Sequence, residues 1–243
     1  MWNGFTVGVI LPTYNEKDSI RKVIHDFEVL GIMDDILVVN NNATQGTSEE
    51  VAKTSAREVV EKRQGYGCAI RRGFYEMKTD LIFVCEPDDT FIARDVFKFL
   101  SSIDDVDVVY GSRTVKNLIW QGANMGVFLK WGNWAVAKLM QVMYNTNSLS
   151  DIGCTFRLIK RTALRKIQGQ FRVTSNFFGP EMMLLTQTNA IRFLQIPINY
   201  KERVGDSSVT GDFWKAFCLG IRMIILIFFF RNRRNGNLSK RKK

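Results

Sequence analysis

Short apolar runs alternate with helical patterns through the first 112 residues, and this alternation constrains the fold more than any other feature. The apolar runs are rich in β-branched residues, which is typical of buried strands. They cover residues 6–11, 35–39, 57–61, 80–85 and 107–112. Between them, apolar residues recur every three or four positions, as on one face of a helix. Strand–helix repeats of this length predict an α/β fold with a mainly parallel central sheet and helices on both faces.

Polar clusters follow three of the predicted strands. PTYNE (12–16) comes after the first strand, NNNAT (40–44) after the second and EPDDT (86–90) after the fourth. The carboxyl ends of parallel strands lie at one edge of a sheet, and ligands bind at that edge. We therefore expect the three clusters to meet and to form a binding site. Within the first cluster, Asn15 is predicted to cap the first helix, and Gly31 is predicted to end it.

Three carboxylates, Glu86, Asp88 and Asp89, lie within four positions after the fourth predicted strand. Neighbouring carboxylates repel one another, so such a cluster indicates a bound cation, the start of a helix, or a solvated turn. Thr90 as an N-cap, with Asp95 in the first helical turn, would fit the second explanation. The residue types alone leave all three explanations open.

The net charge of +10 is unevenly distributed along the chain. Residues 1–107 are acidic on balance, whereas residues 213–243 contain nine basic residues and no acid. The basic end directly follows the apolar run IRMIILIFFF, which favours an anionic membrane surface over nucleic acid as a partner. A buried C-terminal helix with a basic tail is the alternative. The single histidine, His25, argues against a Ser-His-Asp triad and against a multi-histidine zinc site.

Two apolar stretches of the second half are predicted to lie in a membrane interface. Residues 118–144 contain three Trp, three Met and no acid. Residues 213–230 include Lys215 and Arg222, so this run is short and charged for a bilayer span of about 20 apolar residues. Burial in the domain core is the alternative for the first stretch. The predicted location is the cytoplasmic face of a membrane, peripheral or monotopic.

Eight stretches carry the strongest functional signal. In the first half they are VILPTYNE (9–16), ILVVNNNATQGT (36–47), RQGYGCAIRRGF (63–74), EPDDTF (86–91) and YGSR (110–113). In the second half they are SDIGCTFR (150–157), FFGPEMMLL (177–185) and IPINYKERVGDSS (196–208). Together they resemble family 2 glycosyltransferases of the nucleotide-sugar-dependent GT-A fold. Within that family, the chain most resembles the dolichol- and polyprenyl-phosphate sugar synthases.

The resemblance implies a domain division. A glycosyltransferase domain over 1–212 would comprise a nucleotide-sugar-binding half (1–113) and an acceptor half (114–212). An apolar interfacial helix and a basic tail (213–243) would follow it.

The resemblance also implies the donor chemistry: an inverting transfer from a nucleotide-diphosphate sugar, with Mg²⁺ or Mn²⁺ neutralising the diphosphate. Asp88 and Glu86 match the metal-binding D-x-D motif of the family, with Glu86 in place of the usual first Asp. Arg113 matches a phosphate contact and, like Asp88, would be catalytic. Donor contacts are further implied at Pro12, Tyr14, Glu16, Val39, Asn40, Asn41, Gln64, Gly65, Pro87 and Thr90. Arg157 and Arg203 are implied to contact the donor diphosphate or an acceptor phosphate. Asparagines replace the usual acidic pair after the second strand, so GDP-sugar and UDP-sugar both stay open.

The favoured acceptor is a polyprenyl phosphate, such as dolichyl or undecaprenyl phosphate. A lipid phosphate is already ionised and needs no general base, whereas a sugar hydroxyl needs one. If the acceptor were instead a lipid-linked or cell-surface glycan, Asp151 or Glu181 would be that catalytic base. An inactive homologue that binds nucleotide sugar or membrane is a third hypothesis, suggested by the Asn run and by Glu86. A nucleic-acid binder is least favoured, because the acidic half holds the recognisable motifs.

Overall fold

The computed structural model describes residues 1–123, 127–205, 218 and 220–231. Its strands are β1 (Val7–Thr13), β2 (Asp35–Asn40), β3 (Arg57–Val60), β4 (Leu81–Val84), β5 (Val108–Ser112), β6 (Arg157–Lys160) and β7 (Phe193–Pro197). They form one seven-stranded sheet in the order β3-β2-β1-β4-β6-β5-β7. β6 runs antiparallel to β4 and β5, and every other neighbouring pair is parallel. The predicted α/β fold with a mainly parallel sheet is confirmed.

Helices connect the strands. They are α1 (Lys17–Glu28), α2 (Thr47–Val51), α3 (Tyr66–Glu76), α4 (Val96–Ser102), α5 (Val127–Tyr144), α6 (Arg161–Ile167) and α7 (Phe178–Thr188). Single 3₁₀ turns lie at Ala93–Asp95, Lys116–Leu118 and Gln168–Gln170. Residues 220–231 are also helical and are called the C-terminal helical segment.

Alternate residues of each central strand enter two separate apolar cores. In β1, Val9 and Leu11 pack into the core that contains α1, α2 and α4, while Ile10 packs into the core that contains α3, α5, α6 and α7. β4 repeats this arrangement, with Phe83 on the first side and Ile82 on the second. Successive side chains of a strand point to opposite faces, so a sheet covered on both faces needs strands that are apolar throughout.

The strand order reverses between β1 and β4. The chain passes from β1 to β2 and β3 in one direction and then returns to β4 on the other side of β1. In such sheets, a crevice opens beside the carboxyl ends of the two strands at the reversal point. The polar clusters 12–16 and 86–90 follow β1 and β4, so both belong to this crevice.

The ends of three elements differ from the sequence-based prediction. α1 begins at Lys17 and no side chain caps its first turn, so Asn15 is not its cap. β1 extends two residues into the predicted turn, because Pro12 and Thr13 pair with β2. Asp95, which is predicted to be in a first helical turn, lies in the 3₁₀ turn Ala93–Asp95 that precedes α4.

The C-terminal helical segment has two apolar faces. Its inward residues Met223, Ile227 and Phe230 are buried in the same core as α5. Its outward residues are exposed, and they are Ile221, Ile225, Phe228 and Phe229. Most of the predicted basic tail and residues 213–217 lie outside the described residues. None of the described helices is long and apolar enough to cross a membrane.

Candidate active site

The loop after β4 is fixed against α1 at the centre of the crevice. The Ser19 hydroxyl donates to the Pro87 carbonyl oxygen at 2.6 Å. Asp89 adopts a left-handed backbone conformation with φ of 65°. Its carboxylate accepts from Lys22 at 2.8 Å and from Lys201 at 2.6 Å. Asp89 is therefore a buried ion-pair partner, and neither a solvated turn nor a helix cap explains this member of the carboxylate cluster.

Asp88 is turned into the site and is 1% exposed. One carboxylate oxygen, Oδ1, accepts from the backbone N–H of Thr90 at 3.0 Å and from the Thr90 hydroxyl at 2.6 Å. The other, Oδ2, accepts from Arg203 Nε at 2.7 Å and contacts Arg203 Nη2. Thr90 thus orients Asp88 instead of capping the following helix.

Glu86 lies beside Asp88 at the base of the crevice. Burial, and next the charge of Asp88, raise the pKa of Glu86 to about 7. Its Oε2 lies 3.4 Å from Arg203 Nη2, the same nitrogen that contacts Asp88. One guanidinium nitrogen therefore bridges the two carboxylates of the predicted D-x-D position.

The residues at this position fit a divalent cation. Two carboxylate oxygens converge on one point that a cationic group occupies. Among the described residues there is no cluster of three or more acidic, His or Cys side chains that could hold a metal alone. Mg²⁺ is usually bound by one or two carboxylates together with substrate phosphates, which agrees with a donor set of this size.

Arg113 and Asp151 form a buried ion pair on the β5 side of the crevice. Arg113 Nε and Nη2 donate to the two Asp151 oxygens at 2.9 and 3.1 Å, and the Arg113 backbone N–H adds a third bond at 3.0 Å. Asp151 is fully buried; burial opposes its ionisation, but the Arg113 charge holds its pKa below the usual range. The guanidinium carbon lies 5.2 Å from the centre of the Tyr200 ring. Asp151 is therefore an orienting anion for Arg113.

Glu181 is 1% exposed, near the start of α7. Its two oxygens accept from the backbone N–H groups of Arg172 at 2.8 Å and Val173 at 3.0 Å. Burial raises the pKa of Glu181, although these hydrogen bonds favour its charged form. Both oxygens are thus engaged in holding the preceding loop.

The glycine-rich loop before α3 packs against the loop that contains Arg172 and Val173. A Cβ at Gly65 would lie 2.2 Å from the Thr174 carbonyl oxygen, and a Cβ at Gly67 would lie 2.5 Å from that of Val173. Gly67 N–H donates to the Thr174 carbonyl at 2.9 Å. Glycine at these two positions therefore permits close approach of protein backbone, and the implied donor contact at Gly65 stays a prediction.

Arg157 does not reach the crevice. It is 1% exposed and lies in β6 with its guanidinium 5.8 Å from the centre of the Tyr110 ring. Its donors bind the backbone carbonyls of Cys154 and Thr155. The suggestion that Arg157 contacts a diphosphate is corrected by this burial.

Asn41, which follows β2, holds the loop of residues 61–65 by hydrogen bonds. Asn41 is 3% exposed, and its amide donates to the carbonyls of Glu61 at 2.7 Å and Arg63 at 2.8 Å. Its oxygen accepts from the Gly65 N–H at 2.8 Å and from Gln64 at 3.5 Å. An amide can both donate and accept, which a carboxylate cannot, and this explains why asparagine suits the position.

Asn40 is likewise engaged. Its amide donates to Ser48 at 3.1 Å and to Glu58 at 2.8 Å, and its oxygen accepts from the Ala43 N–H at 2.8 Å. Val39 is a fully buried strand residue and Pro12 is buried opposite it in β1. These residues shape the crevice from within the protein.

The turn after β1 presents Tyr14. Tyr14 is 46% exposed, so its side chain is accessible to a ligand. Glu16 Oε2 accepts from the backbone N–H groups of Tyr14 at 2.7 Å and Asn15 at 2.9 Å. Glu16 thereby fixes the turn from which Tyr14 projects.

Sequence reasoning missed Tyr200 and Lys201, which bring the segment 200–204 onto the carboxylate loop. The Lys201 N–H donates to the Thr90 carbonyl at 2.9 Å, and the Val204 N–H donates to the Asp88 carbonyl at 3.0 Å. Both residues lie within residues 196–208, shortly before Arg203, and their residue types alone did not indicate a role in the site.

Comparison of the sequence with known proteins identifies one family. The model of glycosyl transferase family 2 matches residues 8–168. A dolichyl-phosphate hexose transferase of Haloferax volcanii is 25% identical over 204 residues, covering 84% of this chain and 86% of that protein. An undecaprenyl-phosphate mannosyltransferase of Micrococcus luteus is 25% identical over 213 residues, covering 83% of this chain and 86% of that protein.

Solved structures agree on the fold. A structure of glucosyl-3-phosphoglycerate synthase from Mycobacterium tuberculosis with Mg²⁺ and uridine diphosphate gives a TM-score of 0.71 at 15% identity. The match covers 94% of this chain and 79% of that chain. The fold is therefore the GT-A fold expected from the motifs. With the family match extending over about two thirds of the sequence, this chain is a glycosyltransferase that belongs to glycosyl transferase family 2.

Proposed function

We propose that this enzyme transfers a sugar from a GDP- or UDP-linked donor to a polyprenyl phosphate at a membrane surface. The single observation that carries the acceptor class is the state of the two candidate bases. Asp151 is bound to Arg113, and Glu181 accepts two backbone N–H groups. Both carboxylates are thus engaged within the protein, which supports an acceptor that needs no general base. A phosphate acceptor needs no such base, because it is already ionised.

The proposed reaction is a direct displacement with inversion. An oxygen of the acceptor phosphate bonds to the anomeric carbon as the bond from that carbon to the diphosphate breaks. The electron pair leaves with the nucleoside diphosphate. Arg113, held in one orientation by Asp151, supports the departing charge with fixed hydrogen-bond donors.

Asp88 and Glu86 would hold the divalent cation, Mg²⁺ or Mn²⁺. When bound, it would neutralise the diphosphate as a Lewis acid. Tyr14 offers its exposed ring to the base of the nucleotide. Within this proposal, residues 1–113 form the donor-binding half and residues 114–212 form the acceptor half, from which Arg203 reaches the donor site.

The membrane assignment rests on an exposed apolar surface. The C-terminal helical segment exposes Phe228 at 49% and Phe229 at 59%, and α5 exposes Trp131 at 60% and Trp134 at 41%. Large exposed apolar groups mark interaction sites, and the basic residues that follow in the sequence suit anionic lipid. We propose that these residues rest on the cytoplasmic face of a membrane, with the segment after 213 acting as the anchor.

Purified enzyme, Mn²⁺ or Mg²⁺, and a panel of GDP- and UDP-sugars test this function with two acceptors. One acceptor is polyprenyl phosphate in detergent or vesicles, and the other is a soluble glycan. We expect a lipid-linked sugar with at least one donor. Elongation of the glycan without any lipid-linked product would refute the acceptor assignment, and absence of both products would favour an inactive homologue.

A further inference from the structure

We propose that Arg203 occupies the cation position of the donor-free protein, so that a divalent ion binds well only when a nucleoside diphosphate draws Arg203 away. This inference rests on the proposed function, because it concerns the same Asp88 and Glu86 carboxylates. It adds an order to the binding events that the carboxylates alone do not imply.

The first argument is competition for one oxygen. Asp88 Oδ1 already accepts two hydrogen bonds from Thr90, so Oδ2 is the oxygen left for an outside cation. Arg203 takes that oxygen with Nε at 2.7 Å and reaches toward Glu86 with Nη2 at 3.4 Å. A metal ion and the guanidinium are both cations, so they repel each other and cannot share this position.

The second argument is that only the side chain of Arg203 has to move for a metal ion to take its place. The backbone on both sides of Arg203 is tied to the carboxylate loop through Lys201 and Val204. Lys201 adds an ion pair to Asp89 at 2.6 Å. The arginine side chain is 20% exposed, so it can swing toward the solvent side of the crevice while its backbone stays in place.

The third argument is the chemistry of the exchange. A guanidinium pairs with phosphate oxygens as well as with carboxylates, so a diphosphate offers Arg203 an equivalent partner. The same diphosphate offers oxygen ligands to the metal ion. Nucleotide binding therefore both frees the carboxylates and completes the metal site. By linkage, the metal must strengthen nucleotide binding by the same factor.

The test is a Mn²⁺ titration of full-length protein, with free Mn²⁺ followed by electron paramagnetic resonance. It is run without nucleotide, with UDP and with GDP. Arg203→Met removes the charge and keeps a long apolar side chain, and Arg203→Lys keeps a charge without the planar fork. Arg192→Met is the matched control, since Arg192 is an exposed arginine paired with Asp107 at the start of β7.

We expect Mn²⁺ to bind to Arg203→Met on the order of tenfold more tightly than to the wild type when nucleotide is absent. The factor by which UDP or GDP improves Mn²⁺ binding should shrink in this variant. Arg203→Lys should fall between the two proteins, and Arg192→Met should match the wild type. Circular dichroism and thermal unfolding of each variant verify that the fold is retained.

Equal or weaker Mn²⁺ binding by folded Arg203→Met and Arg203→Lys, with the wild type still responding to nucleotide, would overturn this inference and leave the proposed function intact. Mn²⁺ binding by none of the proteins, even with UDP or GDP, would overturn the metal role itself and this inference with it. The two failures are therefore distinguishable.

Discussion

Arg113 and Asp151 meet side by side, with two guanidinium nitrogens donating to two carboxylate oxygens at 2.9 and 3.1 Å. Asp151 comes from the segment before β6 and Arg113 from the end of β5, so 38 positions separate the partners. This pairing converts a candidate base into an orienting group. It also fixes the orientation of Arg113, the arginine proposed to support the leaving group.

Asp151→Asn should lower kcat on the order of tenfold or more, because Arg113 loses the partner that orients it. Steady-state rates between pH 6 and 9 separate this role from base catalysis. An orienting Asp151 leaves the shape of the pH profile unchanged in the variant. Loss of the rising limb of the profile would instead identify Asp151 as the base.

The same change should destabilise the protein by about 3–5 kcal/mol, since it leaves Arg113 nearly buried without its counter-ion. Urea unfolding of wild type and variant measures this difference. Arg57→Gln removes a partly exposed pair with Asp35 and serves as the control, with an expected cost of about 1 kcal/mol or less.

Asp88→Asn should reduce metal-dependent sugar transfer on the order of 10²-fold, because Oδ2 would no longer carry a negative charge for the cation. Initial rates at saturating donor over a Mn²⁺ series measure the effect. Asp89→Asn is the matched control: its carboxylate pairs with Lys22 and Lys201 outside the proposed metal position. Near wild-type activity of Asp88→Asn, or an equal loss in both variants, contradicts the role given to Asp88.

Glu86 should make stability depend on pH. Its folded pKa of about 7 lies above the ordinary value of 4.5, so between these values the folded state binds more protons than the unfolded state. The free energy of unfolding should therefore fall as the pH rises from about 4.5 to 7 and then level off. Glu86→Gln should remove this fall, which is on the order of 1–3 kcal/mol. Urea unfolding at pH 5, 6, 7 and 8 compares the two proteins; parallel curves would contradict the raised pKa.

Gly67→Ala should destabilise the fold by about 1–3 kcal/mol, because the new Cβ meets the Val173 carbonyl oxygen at 2.5 Å. Gly132→Ala is the control, since a Cβ there meets nothing within 4 Å and the residue lies inside α5. Helix propensity predicts a gain of about 0.5–1 kcal/mol at Gly132. The melting temperatures of both variants test whether glycine at position 67 is required for packing; an unchanged melting temperature of Gly67→Ala would contradict that role.

The outward face of the C-terminal helical segment should bind membranes. Replacing Phe228 and Phe229 by serine should weaken sedimentation with vesicles of anionic phospholipid on the order of tenfold or more, with little change in stability. Phe230→Ser is the contrasting variant: this side chain is 7% exposed and belongs to the core, so its loss should lower the melting temperature. Unchanged vesicle binding by the double variant contradicts the lipid-facing assignment.

The order of residue types was enough to predict the sheet and the edge where the site lies. Apolar runs such as residues 35–39 and 80–85 predict strands that are buried on both faces of a sheet. The polar residues that follow these strands then lie together at the carboxyl edge of the sheet. The motif from Glu86 to Phe91 and the match over residues 8–168 follow from residue order as well. These features can be predicted because hydrophobic periodicity and motif spacing depend only on residues that are close together in the sequence.

The role of each candidate side chain, by contrast, depends on contacts that exist only in the folded chain. Arg113 meets Asp151, Arg203 bridges Asp88 and Glu86, and Glu181 accepts the N–H groups of the loop that precedes α7. From residue type alone, each of these side chains could equally be a catalytic group, because a sequence gives the charge and spacing of side chains but not their hydrogen-bond and ion-pair partners. The role of an ionisable group depends on burial and on the opposite charge beside it. Both are set by contacts such as that of Arg203 with Asp88, across 115 positions of the chain.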